Sequence, residues 1–248
     1  RLKVYNLDKL RIEDVKWQET VSNRSIEFDT TLSVRMPLMV HKLTYLKQPN
    51  AYLTVGTFPN KRFRVYSSEG KLLQEFGEYP FEPDFKNVSP ENLAMAFQGN
   101  FEVDDSGRYI AFAITDAPCI DFLEIKDGKV TVTKQHHVAK PLFEASTSPN
   151  EYWAAVKQEN KMGFISTASD QDYVYVLYSG KSIAEGLDEA MTGNSVYVYD
   201  WEGNLRHKLL LDKRVHFITV NPQTRQLLAV INGETTQFVV FDLPKFKK

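Results

Sequence analysis

The sequence is poor in cysteine and contains no long apolar run. Cys119 is the one cysteine, so no intrachain disulfide can form, which fits a reducing compartment and equally fits many exported bacterial proteins. No apolar run approaches about 18 residues, so no transmembrane helix is predicted. The sequence also has no large excess of either charge sign. The formal net charge is -2 and the pI is about 6.3, so no nucleic-acid partner is expected.

Catalytic motifs are missing as well. The sequence has no GxSxG, HExxH, CxxC, P-loop or GxGxxG motif, which leaves the catalytic residues unknown. No cofactor and no metal-binding residue is predicted. The alternative to a chain without a bound metal is a divalent cation such as calcium, held in the central channel of a β-propeller, the architecture that the repeats described below predict.

A strand–turn–strand unit recurs along the chain. Its clearest copy is NSVYVYDWEGNLRHKLLL at 194–211, where an alternating strand ends in aromatic residues, turns at Gly203 and continues as a second strand. The pattern returns in RFRVYSSEGKLLQEF at 62–76 and IDFLEIKDGKVTVTKQ at 120–135, and partly in TQFVVFDLP at 236–244. A repeated sheet unit of this size indicates a β-propeller or a related array.

A second repeated element is a polar turn between two strands. Four such turns are predicted, at 47–50, 104–108, 169–172 and 221–225. Capping side chains and the fixed φ of Pro222 explain their composition. The strands that follow are almost continuously apolar, as expected where neighbouring blades cover both faces of a sheet.

Together these elements predict an all-β propeller that spans residues 1–248 as a single domain with a substantial core. Its clear blades lie at about 41–78, 100–135, 163–212 and 216–244. The last blade stops after its third strand, and LKVYN at 2–6 is the candidate for the missing outer strand, which would close the ring. Segments 7–40 and 136–162 then hold at least one more blade, with strands expected at 25–35 and 151–158. The predicted total is five or six four-stranded blades.

Two short helical inserts interrupt the strands. In segment 89–99, Ser89 is the predicted N-cap, Pro90 the first helical residue and Gly99 the stop. Its buried stripe comprises Leu93, Ala94 and Phe97. In segment 182–193, Gly186 weakens the helix and Gly193 ends it. The residues expected on its one apolar side are Ile183, Leu187, Ala190 and Met191.

Residues with metal-binding or acid–base chemistry are interpreted as structural. His136 and His137 form the one histidine pair, and adjacent strand residues point to opposite faces, so this pair is poorly placed to hold one metal ion. Asp104 and Asp105 lack the alternating oxygen ligands of a calcium loop and are interpreted as turn residues. The same interpretation covers Asp170, Asp172 and Asp200.

Aromatic residues raise the possibility of carbohydrate stacking. Most of the 12 tyrosines and 16 phenylalanines lie in strands, where packing between sheets accounts for them. Tyr79 and Phe81, on either side of Pro80, are the candidates for exposed aromatics that stack on a ligand. Cys119 is interpreted as a small buried apolar residue.

The repeated segments resemble a known family. They are FGEYP at 76–80, SGRYIAFA at 106–113, YVYVLYSGK at 173–181, VYVYDWEGNL at 196–205 and HFITVNPQTRQLLAV at 216–230. They are similar to the TolB-like six-bladed propeller proteins of Bacteroidetes, over roughly 43–244. The resemblance implies six blades, export to the periplasm or the cell surface, and a lipid anchor on a leader that this sequence, which starts at Arg1, does not include. It implies no catalytic residues.

Three hypotheses on function follow. The leading one is a non-enzymatic propeller that binds a protein or glycan partner in the cell envelope. The alternative is a hydrolase or lyase that acts through a divalent cation in the channel, which requires several ligating groups around one point. The third is a structural module of a larger assembly, which a large exposed apolar patch would favour.

Overall fold

The fold was analysed in a computed structural model, which describes residues 2–4, 30–32, 39–148 and 151–246. Along this part of the chain, antiparallel strands form three four-stranded sheets and one three-stranded sheet. In each sheet the strands are neighbours in chain order, so every sheet is a meander. The predicted all-β propeller with four-stranded blades is confirmed.

Sheets I and II come first. Sheet I comprises β3 (Val40–Leu46), β4 (Ala51–Gly56), β5 (Phe63–Ser67) and β6 (Leu72–Phe76). Sheet II comprises β7 (Gly99–Val103), β8 (Tyr109–Ile114), β9 (Cys119–Lys126) and β10 (Lys129–His137). Their bounds follow the predicted blades within a few residues, because the turn and strand patterns that define them are local.

Sheets III and IV complete the blades that the structure describes. Sheet III comprises β13 (Phe164–Ser169), β14 (Tyr173–Tyr178), β15 (Gly193–Asp200) and β16 (Leu205–Val215). Sheet IV comprises β17 (Phe217–Asn221), β18 (Gln226–Ile231) and β19 (Gln237–Asp242). Val174, Val176 and Val198 in the middle strands of sheet III are fully buried, as expected for strands covered on both faces.

The four sheets are arranged around their first strands. β3 lies against β7, β7 against β13, and β13 against β17. Apolar clusters fill the spaces between neighbouring sheets. Phe63 and Phe112 belong to the cluster of sheets I and II, and Phe122 and Trp201 to that of sheets II and III. This radial packing of face-to-face sheets is that of a β-propeller.

Segment 136–162 forms a hairpin rather than a further blade. β11 (Phe143–Ala145) and β12 (Ala154–Val156) make a two-stranded sheet that packs against helix α1 (Pro90–Ala96). Because β7 contacts β13 directly, this hairpin does not separate sheets II and III. Strands of three residues are too short to build a blade of normal width.

The N-terminal strand has a different partner from the predicted one. β1 (Leu2–Val4) pairs antiparallel with β2 (Thr30–Leu32), with Leu2 opposite Leu32. In the part of the chain that the structure describes, β19 pairs with β18 alone. The expected pairing of the chain ends is therefore not the one seen, and closure of the ring stays a prediction. The rest of segment 7–40 lies outside the described residues, apart from 30–32 and 39–40.

The first helical insert agrees with its prediction at the N-terminus. The Ser89 hydroxyl accepts a hydrogen bond from the Asn92 N–H at 3.3 Å, and Pro90 is the first helical residue. Leu93 and Phe97 are buried. Gly99 does not end the helix, because it already begins β7.

The second insert is broken at Gly186. A 3₁₀ turn over Ile183–Glu185 is followed by the one-turn helix α2 (Leu187–Ala190), and Gly186 lies between them with φ of 133°. The predicted apolar side is therefore wrong in part: Leu187 is 65% exposed and Met191 42% exposed. The change of backbone direction at the glycine prevents one helical face from forming.

Candidate functional site

Four polar turns lie together at one end of the sheets. They connect the first and second strands of sheets I to IV and comprise residues 47–50, 104–108, 170–172 and 221–225. We call this surface the turn face. Since the four first strands are packed side by side, their turns reach the same end of the propeller. The sequence predicted these four turns, the third of them as 169–172.

Carboxylate and amide side chains shape these turns. Asp104 Oδ1 accepts hydrogen bonds from the N–H groups of Arg108 and Tyr109, both at 2.7 Å. Asn221 Oδ1 accepts from the N–H of Gln223 at 3.0 Å. An aspartate or asparagine that caps its own turn in this way holds the loop in one conformation.

Side-chain hydrogen bonds join neighbouring sheets at the turn face and next to it. Lys47 Nζ donates to the Asp105 carbonyl at 3.2 Å, which links sheets I and II. The Glu102 carboxylate accepts from the hydroxyls of Thr167 and Ser169, each at 2.7 Å, which links sheets II and III. The first two turns are therefore joined directly, and sheets II and III are joined by strand residues that lead into the second and third turns.

Asp170 organises the third turn. Its Oδ1 accepts from the N–H groups of Asp172 and Tyr173 at 2.9 and 2.8 Å, and its Oδ2 accepts from the Tyr175 hydroxyl at 2.8 Å. Burial and the hydrogen bond to Asp170 raise the pKa of Tyr175 above its usual value. The Asp170 carbonyl also accepts from Trp201 Nε1 at 3.2 Å. Both carboxylate oxygens are thus engaged within the turn.

A cavity of about 280 Å³ lies between the third and fourth turns. We call it the inter-sheet pocket. Its walls are Asp170, Gln171, Asp172, Tyr173, Tyr175, Pro222, Arg225, Leu243 and Phe246. It combines two carboxylates, a guanidinium and aromatic rings, which is the mixed lining of a ligand-binding cleft.

The segment after β19 forms one wall of this pocket. The Leu243 N–H donates to the Arg225 carbonyl at 2.9 Å, and Arg225 Nη2 donates to the Pro244 carbonyl at 2.7 Å. The Phe246 ring stacks on His207 with centroids 4.2 Å apart and meets the edge of Tyr173 at 5.1 Å. These contacts hold the wall against sheet III.

Comparison with known proteins gives a family for this arrangement. Residues 2–223 match the family model described as TolB-like 6-blade propeller-like. The chain belongs to this family. No curated protein matches this TolB-like chain significantly.

Two solved structures illustrate the similarity of fold. The β-propeller domain of Myceliophteria thermophila Cps50 (Swd1) gives a TM-score of 0.52 at 11% identity and covers 84% of this chain and 54% of that chain. Dihydro-heme d1 dehydrogenase NirN in complex with DHE gives a TM-score of 0.50 at 12% identity, with coverage of 90% and 38%. The TolB-like chain thus spans about half of these structures or less, and the likeness shows the fold alone.

The histidine pair of the TolB-like chain makes two separate contacts. His136 Nε2 lies 2.7 Å from the Gly203 carbonyl, and His137 Nε2 lies 2.7 Å from Asp121 Oδ1. Asp200 Oδ1 accepts from the N–H of Asn204 at 2.7 Å and so caps a turn. In residues 39–148 and 151–246, no group of three or more His, Cys, Asp or Glu could hold a metal ion.

The expected ligand-stacking aromatics lie elsewhere. Tyr79 is only 5% exposed and packs against Phe97 with centroids 5.9 Å apart, so its prediction as an exposed loop residue is wrong. Phe81 is half-buried and lies against His137. Both rings are taken into the apolar cluster of sheets I and II because the loop before α1 folds back onto it. Cys119 is buried, as interpreted from the sequence.

A buried charged cluster joins sheets I and II and escaped the sequence analysis. Arg62, 1% exposed, donates through Nη1 to Oδ2 of Asp121, which is fully buried. Asp121 Oδ1 also accepts from Gln135 Nε2 at 3.0 Å. Burial alone would raise the pKa of Asp121, but the Arg62 charge and the bonds from His137 and Gln135 hold it below its usual value. The sequence signals that could have indicated this ion pair are Arg62 directly before the apolar strand β5 and Asp121 within the apolar strand β9.

The described helices of the chain include none that is long and apolar enough to cross a membrane.

Proposed function

We propose that this TolB-like protein is a binding scaffold whose turn face holds a protein or glycan partner in the cell envelope. The observation that carries the proposal is the turn face, with its self-capped turns and the open pocket between the third and fourth turns. Export to the periplasm or the cell surface, with a lipid anchor on a leader, is part of the proposal, and the resemblance to exported TolB-like proteins supports it.

The physical argument rests on preorganisation. Turns whose conformations are set by their own side chains lose little conformational entropy when a partner binds. Glu102, with its two hydroxyl donors at 2.7 Å, contributes to this, since it ties sheet II to sheet III at the strand ends that lead into the second and third turns. Loops held on a rigid scaffold are common sites of recognition.

The test compares two ends of the same molecule. Asp172→Arg changes the turn face, and Glu234→Arg makes the same charge change between β18 and β19, at the opposite end of sheet IV. Partners are captured from an envelope extract, identified and reconstituted from purified components. We expect Asp172→Arg to weaken the reconstituted complex and Glu234→Arg to leave it intact. Equal binding by both variants would contradict a partner site on the turn face.

Localisation is tested with the full-length precursor. Cell fractionation is expected to recover the protein in the envelope fraction, and protease added to intact cells separates a surface location from a periplasmic one. Recovery in the cytoplasmic fraction alone would refute export.

A different observation favours a second candidate, a structural module of a larger assembly. Phe217, Val230 and Phe238 are opposite one another across sheet IV, and Phe217 and Phe238 are 55% and 80% exposed. An apolar row of this kind is typical of an interface. Sedimentation velocity on the wild type and on Phe238→Ser tests whether the row joins copies of the chain. A monomeric wild type would count against this.

A further inference from the structure

We infer that the inter-sheet pocket binds a short peptide that carries a positive group and a carboxylate on either side of an apolar side chain. This rests on the proposed function, because it names the chemistry of the partner at the same face. The inference follows from the charges, the apolar wall and the size of the pocket.

Two charged side chains of the pocket keep groups without a partner among residues 39–148 and 151–246, and they belong to different turns. Asp170 is occupied by Asp172, Tyr173 and Tyr175, so the carboxylate of Asp172 is the acidic group that can accept from a ligand. Asp172 is exposed at the tip of the third turn.

Arg225 supplies the complementary charge from the fourth turn. Among the residues that the structure describes, its side chain makes one hydrogen bond, from Nη2 to the Pro244 carbonyl at 2.7 Å. That bond orients the guanidinium and leaves its other N–H groups for a ligand. A guanidinium is well suited to a carboxylate, because its parallel N–H groups match the two oxygens.

Aromatic and aliphatic side chains form part of the pocket wall beside these charges. Tyr173, Leu243 and Phe246 line it, and the stacking of Phe246 on His207 at 4.2 Å keeps that ring in place. A hydrophobic side chain of the ligand would bury its surface here without forcing the wall to rearrange.

The size of the pocket limits the ligand. A volume of about 280 Å³ lies just below the range of small-molecule sites, which runs from roughly 300 to 1,000 Å³. One or two amino-acid residues fill such a space. A neutral sugar offers hydroxyls to both walls but no charge to either, so a zwitterionic peptide is the better complement to Asp172 and Arg225.

The probe is the dipeptide Leu-Phe, compared with its N-acetylated and its C-amidated forms by isothermal titration calorimetry. We expect a sub-millimolar Kd for the free dipeptide, from a ligand of about 20 heavy atoms. N-acetylation and amidation should each weaken binding about fivefold, since each removes one charge-assisted hydrogen bond at an exposed site.

Two variants assign each charge to its wall. In Asp172→Asn the free and acetylated peptides should bind alike, and in Arg225→Gln the acid and amide should bind alike. Asp105→Asn and Arg108→Gln, on the second turn and outside the pocket, should behave like the wild type. Variants that fail to fold are identified by their circular dichroism, and the comparison of the four ligand forms on the wild type remains decisive.

Several results would overturn the inference. They are no binding of the dipeptide up to about 10 mM, equal binding of all peptide forms, or binding of glucuronic acid in preference to the dipeptide. If a reconstituted partner still depends on Asp172 while the dipeptide does not bind, the inference fails and the proposed function stands. Where both bind, displacement of the partner by the dipeptide shows that a segment of the partner occupies the pocket, and no displacement shows a free peptide as the ligand.

Discussion

Replacing Asp121 by Asn is expected to destabilise the propeller strongly. The substitution keeps the shape of the side chain but removes the carboxylate charge that pairs with Arg62, which is 1% exposed. The guanidinium has no described partner for Nε and Nη2 either, so the ion pair with Asp121 is its main compensation. The variant leaves a buried, uncompensated cation between sheets I and II.

The expected loss in the free energy of unfolding is about 3–5 kcal/mol, the usual cost of removing one partner of a buried ion pair. Arg62→Met should cost less than Asp121→Asn. It removes the unpaired donors together with the charge, fills the same apolar space beside Phe63 and Phe112, and leaves Asp121 bonded to Gln135 and His137.

Urea unfolding of both single variants and the double variant measures the coupling. The double variant should lose about 2 kcal/mol less than the sum of the single losses, because neither charge remains unpaired. Asp84→Asn provides the control, since its ion pair with Lys140 spans 2.9 Å between half-exposed side chains and should contribute about 0–1 kcal/mol.

The pH dependence gives an independent check. Since the folded pKa of Asp121 is depressed, its contribution is present above the unfolded-state pKa of about 4 and is lost as the pH falls through the folded value. The wild type should therefore lose more stability than Asp121→Asn on acidification below about pH 4. The reasoning is refuted if the two single losses add within about 0.5 kcal/mol, because the charges would then not be coupled.

Further predictions concern single positions. Gly203→Ala should cost at least about 2 kcal/mol in thermal unfolding, because φ is 79° and an added Cβ would lie 2.6 Å from the Phe122 ring. Gly128→Ala is the control and should cost about 1 kcal/mol, because φ is 73° there but no atom lies within 4 Å of the added Cβ. Similar losses for the two variants would contradict this. Cys119, whose pKa is raised by burial to about 12, should resist iodoacetamide at pH 8 in the folded protein and react after unfolding, and fast native alkylation would refute its burial. Burial raises the pKa of Asp116 to about 6, so the folded protein loses stability as the pH rises from about 4 to 6 and this carboxyl group ionises. Asp116→Asn should therefore raise the free energy of unfolding by about 1–2 kcal/mol at pH 7.5 and change it little at pH 4. A lower free energy of unfolding at both pH values would show that the carboxylate has a partner.

The blades could be predicted because their signals are local. Asp104 and Asn221 lie within a few residues of the backbone groups they cap, so the turn chemistry is readable without knowledge of the fold. The almost continuously apolar strands that follow these turns are the second signal, because they indicate a sheet that is covered on both faces.

The site depends on contacts that are distant in sequence. Phe246 reaches the pocket by stacking on His207 of another sheet, and Arg62 finds Asp121 across a sheet boundary. No spacing rule connects such residues. Tyr79 was misplaced for the same reason, since a loop aromatic is buried or exposed according to the surface that its loop meets.

The meander order of the sheets bears on how the protein is made. Each strand of sheets I to IV pairs with strands next to it in the chain, so a sheet can form as soon as its last strand has left the ribosome. Pairing between nearby strands costs little loop-closure entropy and favours rapid formation. The contacts between sheets, including the Arg62–Asp121 ion pair, can then form once the next sheet has left the ribosome. During biosynthesis from the N-terminus, sheets I to IV therefore pack against one another in the order in which they occur in the chain.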